Sequence, residues 1–98
     1  MTGKLAKAIA HTAFSLFIEE GMAVVPLDPS YRTGAPLKPE GDPFVVDKRG
    51  VEKCVKHFLW DRRNLPLVQS GKGAVVVGRR DDNTLVICLC SQEIPRGS

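Results

Sequence analysis

No run of apolar residues in this chain approaches the ~18 needed to cross a bilayer, so a membrane is not among the expected partners. Lys4 and Lys7 do precede an apolar stretch from Ala8 to Ile18, but His11, Thr12 and Ser15 interrupt it and Glu19-Glu20 follow. A secretory leader keeps its apolar run unbroken and ends on small residues, so the stretch reads as a helix of the mature protein. Cysteine is scarce and odd in number, three residues in all, which argues against a disulfide-stapled secreted scaffold. Cys88 and Cys90, two apart, would share one face of a strand and could not easily bond to each other. Reduced thiols and a cytoplasmic location are expected.

A large excess of charge of one sign is also missing. The net charge is only +3, whereas nucleic-acid proteins often carry a denser basic excess. Nor is there a usable metal or catalytic motif. Cys54, His57 and Asp61 fall within about 60° on a helical projection, and a Cys–His pair backed by a carboxylate suits a thiol nucleophile. However, Cys54 belongs to an apolar stripe, His57 points to the solvent side, and no second Cys–His pair completes a zinc site. Gly71-Lys72-Gly73 precedes a strand and not a helix, so it reads as a hairpin turn and not a phosphate cradle. Glu19-Glu20, Glu40, Asp42 and Glu93 sit in separate segments, and no expected strand carries a carboxylate. Neither a cofactor, a metal nor a catalytic residue is expected.

What the chain has is the composition of one ordinary domain: ninety-eight residues, 43% hydrophobic and 26% charged. A first helix is expected over 4–20, where Leu5, Ala8, Ile9, Thr12, Ala13, Leu16 and Phe17 follow helical spacing. Phe14 and Ile18 widen its apolar surface, enough to pack on a sheet and a helix together or to form a homodimer. Met22–Leu27 reads as a strand, placed at an edge or near its end by Pro26. The segment 28–43, with four prolines and two glycines, reads as a loop without regular structure. Phe44–Val46 is expected as a brief strand. Asp47 then caps a second helix running to about Arg63, ended by Asn64 and Pro66.

Strands are expected at Leu65–Ser70, Ala74–Arg79 and Leu85–Cys90. The last, Leu-Val-Ile-Cys-Leu-Cys, lacks alternation and should lie centrally, buried on both faces. The order α-β-(β)-α-β-β-β predicts a two-layer α+β sandwich, with two helices on one face of a four- or five-stranded, mainly antiparallel sheet. Residues 1–94 form a single domain and 95–98 a frayed tail. The same order of elements resembles the roadblock and profilin-like folds, which implies an interaction module; the likeness is one of topology, without a shared motif.

The most informative residue is Trp60, the sole tryptophan. Val51, Cys54, Val55, Phe58 and Leu59 form the apolar stripe of the second helix. At ~100° per residue Trp60 lies about 180° from its middle. There it joins Arg49, Lys53, Lys56 and Arg63 within about 80° of arc. Tryptophan and arginine dominate interface energetics, so the expected function is a non-catalytic protein-interaction or regulatory module docking an acidic surface. An RNA or single-stranded DNA binder using the same face is the alternative, with phosphates on the cations and a base on the indole. A thiol enzyme around Cys54 and His57 comes third. A covering of Trp60 by the 28–43 loop, or an early end to the helix, would remove the site.

Overall fold

The computed structural model describes residues 2–19, 21–27, 36–81 and 83–92. Residues 28–35 of the proline-rich segment and the tail 95–98 lie outside that set. The chain builds a helix α1 (Thr2–Ile18), strands β1 (Met22–Pro26), β2 (Leu37–Pro39) and β3 (Phe44–Asp47), and helices α2 (Val51–Trp60) and α3 (Leu65–Ser70). Strands β4 (Ala74–Arg79) and β5 (Thr84–Gln92) complete it. This is the expected α+β arrangement, with helices packed against one face of an antiparallel sheet.

β5 organises the sheet. Along one side it pairs with β4, which in turn pairs with β1. Along the other side β3 takes residues 84–87 and β2 takes residues 90–92, so the two short strands lie end to end. β1 is an edge strand. Pro26, which has no N–H to donate, is tolerated there. β2 departs from expectation: a three-residue strand does form inside the proline-rich segment, and Pro39 stands at its end. Only a partner strand fixes so short a piece, and Glu40 N–H extends the pairing by donating to Leu89 O at 2.8 Å.

α1 packs on α2, β4 and β1, which supplies the sheet and the helix its broad apolar surface requires. Its buried face runs through Ala6, Ile9, Ala10, Ala13 and Leu16. That face is rotated from the expected one: Ala8 is exposed and Ala6 and Ala10 are inside. Three alanines bring the helix close to its neighbours, which a bulkier face would hold off. Phe14 and Ile18 are left outside, Ile18 with 84% of its surface exposed.

Two expectations fail between α2 and β4. Leu65–Ser70 is a helix and not a strand. Pro66 fills its first turn, where a missing N–H costs nothing, and Gly71 closes it in the left-handed region at φ 68°, its N–H donating to Val68 O. Gly71-Lys72-Gly73 is therefore a helix end leading into a strand, not a hairpin turn. The element order departs from the expected one at this point. Gly73 is demanded by its surroundings. At φ 96° a side chain is already strained, and a Cβ would run into the carbonyl oxygen of Cys90.

The core holds Val75, Val77, Leu85, Ile87, Leu89 and Val46 from the sheet, with Val51, Val55, Phe58 and Leu59 from α2. β5 is central as expected, but it is not buried on both faces. Burial alternates along it: Leu85, Ile87 and Leu89 are inside, Val86 and Cys88 only half-buried. Among the described residues no helix packs on the second face, where Met22, Val24, Val76, Val86, Cys88 and Val45 line up by register. One end of that face is closed, since Ala74 and Cys90 are buried.

Candidate functional site

α2 begins where the sequence places it. Asp47, extended, accepts the Arg49 N–H at 2.8 Å and caps a 3₁₀ turn, Lys48–Gly50, that leads into the helix. The end comes earlier than expected. Trp60 is the last helical residue, and Asp61 turns extended with its N–H on Phe58 O. Asn64 Nδ2 donates to the same carbonyl at 2.9 Å, and the carboxylate of Asp61 receives Arg63 N–H at 2.9 Å. These polar groups satisfy the helix end and make a continuation to Arg63 unnecessary.

The stripe is as read: Val51, Val55, Phe58 and Leu59 are buried, and Cys54 is half-buried against the same cluster. Trp60 stands opposite it with 59% of its surface exposed. Arg49, Lys53 and Lys56 share a shallow groove beside Gly50 and Glu52. Lys56 Nζ lies 3.8 Å from Glu52 Oε1, and Arg49 Nε 3.6 Å from Asp47 Oδ1. Such exposed pairs hold side chains only weakly. Arg63 parts from this group. Being past the helix end, it turns onto Asp61, with Nε 3.3 Å from Oδ1. It lines a different recess.

That recess is a cleft of about 500 Å³. One wall is the β2–β3 turn, residues 40–44; the other is the end of α2, with His57, Phe58, Asp61, Arg63 and Asn64. Its floor is the ring pair Phe44–Phe58, centroids 5.6 Å apart and planes at 40°. Hydrogen bonds and charge from Arg63 hold the Asp61 carboxyl below the usual aspartate range. His57 and Asp61 thus meet at one cleft, but Cys54 does not line it, so the Cys54–His57–Asp61 set is not brought together. Among the described residues no three His, Cys, Asp or Glu side chains could hold a metal ion. Sequence spacing could not find this cleft, because residues 40–44 and 57–64 meet only through the pairing of β2 and β3 with β5.

Fold and surface together define a small α+β domain with an open sheet face and a tryptophan on a basic helix. No family model, curated protein or solved structure matches the chain. Among the described residues no helix is long and apolar enough to cross a membrane.

Proposed function

We propose that this chain is a non-catalytic interaction module that docks an acidic protein surface through Trp60 and the Arg49–Lys53–Lys56 groove of α2. The exposure of Trp60 carries the reading. A ring of this size left in water on a helix whose other face is fully packed gains most from a partner that covers it. The groove supplies the cations of Arg49, Lys53 and Lys56 for an acidic surface. Arg63, past the helix end and lining a different recess, is peripheral to this surface. Of the large apolar residues of α1, the expected homodimer has Phe14 and Ile18 exposed to build on, because the sheet and α2 cover Ala6, Ile9, Ala10, Ala13 and Leu16. Free Cys54, Cys88 and Cys90 fit a reducing compartment such as the cytoplasm. A thiol enzyme draws no support from a half-buried Cys54 outside the cleft.

The test uses two labelled probes, polyglutamate and a single-stranded oligonucleotide, titrated by fluorescence anisotropy at two salt concentrations. Polyglutamate should bind, shift the emission of the sole tryptophan, and bind about tenfold more weakly to Trp60→Ala, whose thermal midpoint should stay within a degree or two of the parent. Tight oligonucleotide binding with a steep salt dependence, and none to polyglutamate, would replace this reading with a nucleic-acid binder. A large loss of stability in Trp60→Ala would show that the ring is structural.

A further inference from the structure

We propose that the cleft between the β2–β3 turn and the end of α2 is a binding site for an organic cation, an alkylammonium or guanidinium group. The volume of about 500 Å³ lies in the range of small-ligand pockets. Among the described residues three carboxylates line it, Glu40, Asp42 and Asp61, with Arg63 and the imidazole of His57 as the basic groups. Arg63 lies 3.3 Å from Asp61 in an exposed pair. Glu40 uses one oxygen to accept the Ser91 hydroxyl at 2.6 Å, which fixes the carboxylate without neutralising it. Among the described residues neither Glu40 nor Asp42 on the β-turn wall has an ion-pair partner.

The opposite wall adds to the same sign. Phe58 from the last turn of α2 lines the cleft, with Asp61 and Asn64 just past the helix end, where the dipole of the helix is negative. The floor selects the kind of cation. Phe44 keeps 37% of its surface exposed above the buried Phe58. An aromatic face attracts a weakly hydrated organic cation and offers nothing for a bare metal ion to coordinate. The absence of a metal-binding set among the described residues agrees with that choice. An anion would meet three carboxylates and is disfavoured.

Arginine amide is the probe, titrated into the whole chain and followed by backbone amide shifts, with sodium chloride at matched ionic strength as control. Saturable shifts are expected at Gly41, Asp42, His57 and Asn64, and none in the Arg49–Lys53–Lys56 groove. Asp42→Asn, at an exposed turn position, should weaken binding about fivefold, the size of one screened charge pair. Phe44→Leu should weaken it by a similar factor while the thermal midpoint reports that the sheet is intact. Shifts reproduced by sodium chloride, a linear response without saturation, or unchanged affinity in Asp42→Asn would each overturn the proposal. None of these outcomes depends on Trp60, so the docking surface and the cleft stand or fall separately.

Discussion

The two faces of the sheet are drawn from alternate residues of the same strands and are nearly equally apolar, yet they differ sharply in burial. On the helix side Val75, Val77, Leu85, Ile87 and Leu89 are sealed. On the other side their chain neighbours Val76, Val86 and Cys88 are half-buried, and Val24 and Val45 are exposed. Residue type does not set this difference. It follows from where α1 and α2 fold back, and apolar strand positions outside their reach keep their contact with water. An apolar side chain in a strand is therefore a statement about which strand it belongs to, and only the neighbouring layer decides whether it is core.

The sharpest way to break the comparison is to cut adjacent residues of β5. Ile87→Ala, on the sealed face, should cost about 3–4 kcal/mol in chemical denaturation, because it opens a cavity among fully buried neighbours. Val86→Ala, one residue away on the other face, should cost about 1 kcal/mol or less. Equal losses would mean that the second face is covered too. Gly73→Ala falls between the two, at about 2–3 kcal/mol, since it combines a positive φ with a collision against the Cys90 carbonyl where β4 begins.

Thiol labelling sharpens the contrast within the second face. Burial, together with the neighbouring Cys88 and Glu40, pushes the Cys90 thiol up to about 11. In the native chain at about pH 8, with labelling read at each site by peptide mass, Cys90 should therefore react far more slowly than the half-buried Cys88. Similar rates would show that the closed end of this face opens readily. The smallest effect concerns the β4–β5 turn that both faces share. Asp81 accepts N–H bonds from Asn83 and Thr84 at 2.8 and 2.9 Å, which lowers its carboxyl below the ordinary value of 3.8. A depressed folded value adds stability above the unfolded value, and that stability is lost as pH falls through the folded one. The thermal midpoint should thus drop slightly on acidification from about pH 5 to about pH 2, and less so in Asp81→Ala.

Much of the fold is legible in the sequence because its long elements carry strong periodic signals. α1 and α2 repeat apolar residues over several turns, and Asp47 marks a real boundary. α3 is not legible as a helix, since six residues hold less than two turns and its apolar residues fit a strand equally well. β2 escapes because its proline-rich sequence favours no strand and β5 alone imposes one. The exposure of Trp60 follows from a helical projection, while the place of Arg63 does not, because α2 stops three residues short of it. The cleft is invisible to any local reading: its walls are about fifteen residues apart in the chain and meet only in the folded sheet.

The position of β5 also bears on how the chain comes off the ribosome. β2, β3 and β4 all pair with a strand that is made after them, and β1 alone finds its neighbour, β4, earlier. Until residues 84–92 emerge, β2 and β3 have no partner strand, and the apolar residues of β4 that face α1 form one half of an unfinished surface. Assembly is therefore expected to occur in one late step once that segment is free, and a nascent chain stalled before Thr84 should be the form that a chaperone or protease meets.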